Sequence, residues 1–429
     1  MTEMPIADRS EFYDALETRE PAAREAALMA ALPAQIAHAQ AHAPAFAESL
    51  AGIDARAISS RAALARLPVI RKHELLARQQ ALRGREPFGG FSAIGWGVRG
   101  GARRVFQSPG PIYEPEGRAA DYWRMARALF AAGFRAGHLV HNSFGYHLTP
   151  AGSMMETAAH AIGCTVFPGG VGNTELQLQA MVDLRPDAYV GTPSFLRILL
   201  EKADASGLAL TTLTRASVGG EALPPSLRDL WRARGIEAFQ SYGTADLGLI
   251  AYETPAREGL VLDEGVIVEI VRPGTGDPVA DGEVGELVVT TLNPDYPLIR
   301  FGTGDLSAVL PGVCPSGRSN TRIRGWLGRA DQTTKVRGMF VQPGQVAEVL
   351  RRHPEIARAR LVVEGEQADD RMTLHIEPAP TAGAIPEGLT ERIAQTVREL
   401  TKLRAEVRAV ALGSLPNDGK VIEDARKYT

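Results

Sequence analysis

Between His138 and Gly243 five short apolar runs alternate with four amphipathic stretches. HLVHNS (138–143), CTVFP (164–168), AYVG (188–191), ASVGG (216–220) and IEAFQSYG (236–243) read as strands. The segments between them, beginning SMMETAAHAIG, TELQLQAMVDL, PSFLRILLEKADASG and LPPSLRDLWRARG, read as helices. Repeated strand–helix units imply a parallel sheet covered by helices on both faces. Such sheets bind ligands beyond the carboxyl ends of their strands. Four of those ends carry polar or glycine residues that core packing does not require: HNSFGYH, VGTPS, SVGGE and SYGTAD.

The flanks have a different character. Residues 20–50 are alanine-rich, broken by prolines, and read as one or two helices capping a larger body. LPVIRKHELL (67–76) reads as a short connection into another helix. From Gly84 to Gly117 the chain is too rich in glycine for a helix and implies short strands joined by loops. Tyr122, Met125, Ala126, Leu129 and Phe130 fall on one helical face, predicting a helix there. From 250 to 310, GVIVEIV, GEVGELVVTTL and GDLSAVL suggest an antiparallel sheet. Beyond a loop-rich bridge, KVRGMFV, PGQVAEVLRRH, ARARLVVEG, RMTLHIEP, LTERIAQTVRELTKL and EVRAVAL follow the order β-α-β-β-α-β. The expected class is α/β: a large domain, residues 1–330, with parallel sheet and a β-rich subdomain, then a small α+β domain, residues 331–429.

A chain of 429 residues is too long for one ordinary core, which agrees with two domains. Its formal charge is −3 and no block of Lys and Arg stands out, so nucleic acid is not an expected partner. No apolar run approaches the roughly 20 residues that span a bilayer. The first twenty residues are acidic and lack an apolar centre, so no signal peptide is expected. Two distant cysteines make no disulfide framework, and a cytoplasmic location is expected.

The motifs are more specific. FYDALE, PFGGFSA, HNSFGYHLTPAG, GGVGNTELQLQAMVDLRPDAYVGTPSFL, SVGGEAL, SYGTADLG, GELVVTTLNPDYPLIRFGTGDL, LGRADQTTKVRGMFVQPGQVAEVL and LPNDGK occur in this order and cover nearly the whole chain. Together they resemble the adenylate-forming superfamily, and within it the phenylacetate–CoA ligases. The resemblance implies an AMP-forming ligase that turns an aryl carboxylic acid into an acyl-adenylate and then its CoA thioester. ATP, Mg2+ and CoA are the implied cofactor and co-substrates, and a homodimer the implied assembly.

It also implies roles. Tyr242 would stack on adenine, with Gly243 and Thr244 beside it. Asp246 would stand where a glutamate is usual and hold magnesium, since a hard cation takes oxygen ligands. Gly219, Gly220 and Glu221 would form the adenine-binding strand end. Asp305 would accept hydrogen bonds from the ribose hydroxyls, and Arg329 would contact the ribose. Asp331 would be the hinge, Lys335 and Gly338 would line the pantetheine path, and Lys420 would bridge the carboxylate and the α-phosphate. Phe144, Tyr146, His147, Gly191 and Thr192 would line the acyl pocket, with His147 pointing to a substituted or more polar aromatic acid. Taken one at a time, these residues also admit plain structural readings: a capped strand–helix junction at Asp246, a cap for the following helix at Glu221, a satisfied histidine beside a core at His147, and solvated cations at Lys335, Arg337 and Lys420.

One segment departs from the family. Its phosphate loop is rich in Ser, Thr and Gly and ends in Lys-Pro. Here RVFQSPGPIYEP (104–115) retains Ser108, Gly110 and Pro111 and lacks the threonines and the lysine, and Pro109 and Pro111 remove two backbone donors. Arg103 and Arg104 are nearby candidates to compensate, their plain reading being a solvated strand end. The departure keeps two alternatives open: adenylation for another acceptor, or a degenerate homologue that binds an acyl or nucleotide ligand. Where some relatives have paired cysteines for zinc, only Cys314 is present, with Ser316 in the other place, so no zinc is expected.

Overall fold

The computed structural model describes residues 11–98, 100–221, 223–332, 334–336, 339–365, 371–379, 385–416 and 420–426. Packing divides the chain into two units. The first comprises Met1–Val271, Gly276–Thr303 and Ala308–Gly325; the second comprises Arg272–Thr275, Gly304–Ser307 and Trp326–Thr429. The division at Gly325/Trp326 lies just before the expected one at Ala330/Asp331.

In the first unit, Thr165–Pro168, Leu139–Asn142, Ala188–Gly191, Arg215–Val218 and Glu237–Thr244 form five adjacent parallel strands. The sheet continues antiparallel through Gly248–Glu253, Leu260–Leu262, Arg322–Ile323 and Val309–Leu310. Ala188–Gly191 is buried at every position, as a strand covered on both faces must be. The connecting helices are Ala151–Ile162, Thr174–Leu184, Pro193–Ala205 and Pro225–Arg232. A four-stranded sheet has the order Ile70–Arg71, Phe301–Ser307, Gly285–Thr291, Val266–Val271. The long helix Pro21–His42 turns Leu28, Leu32, Ile36 and Ala39 into the core against it, one face at helical spacing.

The FYDALE segment is an anchor. Asp14 caps the turn Ala15–Thr18 by accepting from the Leu16 amide. Glu17 is buried and accepts from Tyr252 Oη at 2.6 Å, Arg318 Nε at 2.9 Å and the Tyr13 amide at 2.7 Å.

Two local expectations are corrected. The five apolar residues from Tyr122 to Phe130 are all buried, but the helix spans only Ala126–Ala131. Arg124 takes a φ of +61°, which breaks any helix. Its guanidinium holds that turn by reaching Asp263 at 2.8 Å and the Leu247 carbonyl at 2.6 Å. In the second unit, KVRGMFV is not one strand of the main sheet. Thr334–Val336 pairs antiparallel with Met339–Val341 as a separate hairpin. The main sheet runs Glu406–Ala409, Arg371–Pro378, Ile356–Glu364, Ile422–Asp424, backed by helices Pro343–Arg352 and Leu389–Thr401. Among the described residues no helix is long and apolar enough to cross a membrane.

Candidate active site

The carboxyl ends of the parallel strands bring several expected residues together. Gly191 closes its strand where no side chain fits: a Cβ would overlap the Tyr189 and Ser143 hydroxyls, which bond to each other. Thr192 caps the helix Pro193–Ala205, accepting from the Phe195 amide at 3.3 Å. Glu221 serves the same helix end, taking the Ser194 amide at 3.1 Å and its hydroxyl at 2.8 Å. It caps a preceding helix rather than the following one. Gly219 and Gly220 extend the neighbouring strand end beyond Val218.

Tyr242 ends the regular register of Glu237–Thr244 and packs against the core. Gly243 follows because a Cβ there would lie 2.5 Å from the Gly248 carbonyl oxygen. Thr244 Oγ1 accepts from the Leu247 amide at 3.1 Å and shapes the turn that carries Asp246.

Asp246 is 4% exposed. Its Oδ2 receives Lys72 Nζ at 3.0 Å, while Oδ1 has no hydrogen-bond partner among the described residues. Lys72 is the first residue of the helix Lys72–Ala81. The segment in place of the phosphate loop is a β-hairpin, Arg104–Ser108 against Ile112–Glu116. Glu114 is fully buried in it. The Ser108 amide donates to Glu114 at 3.2 Å and the Ser108 hydroxyl donates to the same carboxyl, so both Ser108 donors are engaged. Burial, and then the charge of Asp246, push the Glu114 carboxyl up to about 8. The buried Tyr296 hydroxyl, which also feels both carboxyls, has no partner among the described residues. Gln79 grips the hairpin at the Tyr113 backbone, accepting from its amide at 2.8 Å and donating to its carbonyl at 2.9 Å. Arg104 is engaged by Glu116 and Ser153, and Arg103 is exposed.

The segment after Leu139–Asn142 buries Phe144 and half-buries Tyr146, whose hydroxyl takes Asn142 Nδ2 at 2.7 Å. Burial first, and then Glu156, hold that phenol well above the ordinary tyrosine range. His147 is exposed, not packed beside a core.

In the second unit, Asp305 Oδ1 accepts from Arg329 Nη1 at 3.1 Å and from Trp326 Nε1 at 3.0 Å. The two predicted ribose residues are therefore hydrogen-bonded, and Trp326 is an unanticipated third. Asp331 lies in the turn Ala330–Gln332 and Lys335 on the strand Thr334–Val336. Gly338 lies outside the described residues. Lys420 is exposed, and the next residue, Val421, donates its amide to Gln332 Oε1 at 2.8 Å.

For magnesium the residues fit: a cation that keeps its waters and binds one or two carboxylates plus phosphates would find the spare oxygen of Asp246. Cys314 is buried in an apolar cluster, and its sulfur lies 3.1 Å from the Ser316 hydroxyl and 3.5 Å from that of Thr254. Among the described residues no cluster of three metal-binding side chains occurs.

Lys72, Glu114 and Trp326 were not singled out from sequence. Lys72 and Asp246 are 174 residues apart, beyond any local spacing. The signal available was chemical: Glu114 is an acid within a segment expected to bind an anion.

Comparison with known proteins gives the family. Residues 146–293 match the AMP-binding enzyme family and residues 338–425 the AMP-binding enzyme C-terminal domain. A phenylacetate-coenzyme A ligase of Aromatoleum evansii is 33% identical over 354 residues, which cover 78% of this chain and 77% of that protein. The enzyme of that name from Thermus thermophilus is 32% identical over 345 residues, 76% and 75% of the two chains. The open conformation of a 2-hydroxyisobutyryl-CoA ligase shares the fold, with a TM-score of 0.83, 24% identity and coverage of 98% and 96%. The expected α/β architecture with a small C-terminal α+β domain is thus the observed one, and the chain belongs to the phenylacetate–coenzyme A ligase family of AMP-binding enzymes.

Proposed function

We infer that this enzyme activates a phenylacetate-like aryl acid in two steps. A carboxylate oxygen attacks the α-phosphorus of ATP, forming the acyl-adenylate and releasing pyrophosphate. The CoA thiol then gives up its proton and its sulfur attacks the acyl carbon, the bond from that carbon to the AMP phosphate oxygen breaks, and AMP leaves. Catalysis here is positioning and charge neutralisation.

Phe144, Tyr146, Gly191 and Thr192 form the acyl pocket, and the exposed His147 meets a polar substituent of the acid. Tyr242, with Gly219, Gly220, Gly243 and Thr244, receives adenine, and Glu221 holds that strand end on its helix. Asp305 accepts the ribose hydroxyls, with Arg329 and Trp326 fixing its carboxylate. Lys420 brings an ammonium to the α-phosphate, and its flexible stem suits a charge delivered by movement about Asp331. Lys335 and Gly338 would serve CoA binding. Magnesium, held by Asp246, would neutralise phosphate charge.

The observation that carries this reading is the buried Asp246, just beyond the strand bearing Tyr242, with one oxygen that has no hydrogen-bond partner among the described residues. Acid-dependent exchange of labelled pyrophosphate into ATP tests it, across phenylacetate, substituted aryl acids and aliphatic acids. Exchange is expected with aryl acids, substituted ones foremost. Best exchange with plain phenylacetate, unaltered in His147→Gly, would remove His147 from the pocket; no exchange with any acid would refute adenylation.

A further inference from the structure

The hairpin at residues 104–116 offers few donors to a polyphosphate. Pro109 and Pro111 have no amide hydrogen, and both donors of Ser108 are bound to Glu114. Glu114, whose buried carboxyl faces Asp246, brings no positive charge of its own. The charge of a nucleotide's phosphates therefore has to be met from another element.

The cations at this end of the first unit are mostly committed. Arg71 is paired with Glu286, which is buried. Arg104 is held by buried Glu116, and Arg124 by buried Asp263 and the Leu247 carbonyl. Lys72, whose side chain is 37% exposed against 36% for Arg104, differs in its partner: its ammonium, which carries three donors, makes one hydrogen bond among the described residues, to Asp246, whose other oxygen has none there. It stands at the N-terminus of its helix, whose dipole adds to the positive potential there. The same helix grips the hairpin through Gln79, so lysine, hairpin and Asp246 are held in one arrangement.

We propose that Lys72 is the phosphate-binding cation of this enzyme, held ready on Asp246 and meeting the nucleotide's phosphate oxygens with the donors that Asp246 leaves over. It supplies from a helix the charge that the hairpin lacks. The proposal rests on the adenylation reading above only for its catalytic consequence; phosphate binding itself is separable.

The test compares Lys72→Met and Lys72→Arg with the wild type, titrating ATP and adenosine by calorimetry and measuring KM for ATP and for the acid in pyrophosphate exchange. In Lys72→Met, ATP binding and the KM for ATP should weaken by about tenfold or more, the size of one or two lost charge-assisted hydrogen bonds. Adenosine affinity and the KM for the acid should stay within about twofold. Lys72→Arg, which retains the charge, should recover most of the ATP affinity. Unchanged ATP binding in Lys72→Met, or equal weakening of adenosine and ATP, would overturn the proposal, the second outcome marking a merely structural role. A wild type that binds ATP but exchanges pyrophosphate with no acid would remove the adenylation reading and leave the calorimetry to decide Lys72. A wild type that does not bind ATP would overturn both.

Discussion

Replacing Glu114 with glutamine isolates the most unusual group in the site. Glu114 is fully buried, and burial with the neighbouring Asp246 charge raises its carboxyl from the ordinary 4.5 to about 8. Below pH 4.5 folded and unfolded chains both hold this proton. Between 4.5 and 8 only the folded chain holds it, so stability is complete below the lower value and falls as pH rises towards the upper one. The slope is about 1.4 kcal/mol per pH unit, and the whole window amounts to about 5 kcal/mol. Glutamine keeps an acceptor for Ser108 and has no proton to lose. Urea unfolding of both proteins at pH 5, 6, 7 and 8, without magnesium, gives the difference in which other titrating groups cancel. The wild type should lose stability relative to E114Q by about 1.4 kcal/mol for each unit from pH 5 to 8. Infrared difference spectra at pH 7 should show a protonated carboxyl in the wild type that is missing in E114Q. A flat difference between the two proteins, with no such band, would refute the reasoning.

Glu17→Ala leaves Arg318 buried without its carboxylate and removes the acceptor of Tyr252, so thermal unfolding should register a loss of roughly 3–5 kcal/mol; a loss under about 1 kcal/mol contradicts the anchor. Gly191→Ala forces a methyl onto the Tyr189 and Ser143 hydroxyls. It should cost about 1–3 kcal/mol in stability and reduce acid-dependent exchange, and wild-type values for both would show that the strand end has room. Trp326→Phe keeps the ring and deletes the donor to Asp305. The KM for ATP should rise by about 2–10-fold at unchanged acid KM, as for one net hydrogen bond, and no change would make the indole contact incidental.

The parallel sheet was legible because strands buried on both faces read as uninterrupted apolar runs, as AYVG does. The strand ends were legible because polar and glycine residues there contradict core packing, and the pairing of Asp305 with Arg329 joins two motifs that were recognised separately. Three things were hidden. The Tyr122–Phe130 periodicity ignores backbone handedness, and Arg124 breaks it for the sake of Asp263 and the Leu247 carbonyl, both far along the chain. The strand Ile422–Asp424 is too short to carry a pattern of its own and forms by pairing with Leu361–Val363. The Lys72–Asp246 pair depends on how a helix packs near a strand end, which no local spacing reports. The hairpin at 104–116 lay between: Pro109 and Pro111 foretold the loss of phosphate donors, while the burial of Glu114 came only with the fold.

The most direct measurement of the central account is product analysis of one reaction mixture containing ATP, magnesium, CoA and the best aryl acid, for the wild type and Lys420→Ala. The account predicts acyl-CoA and AMP in equal amounts, both dependent on CoA and acid, with the rate falling by roughly a hundredfold or more in Lys420→Ala, as for a lost transition-state charge contact. Formation of ADP, or AMP release indifferent to CoA, or full activity in Lys420→Ala would contradict it.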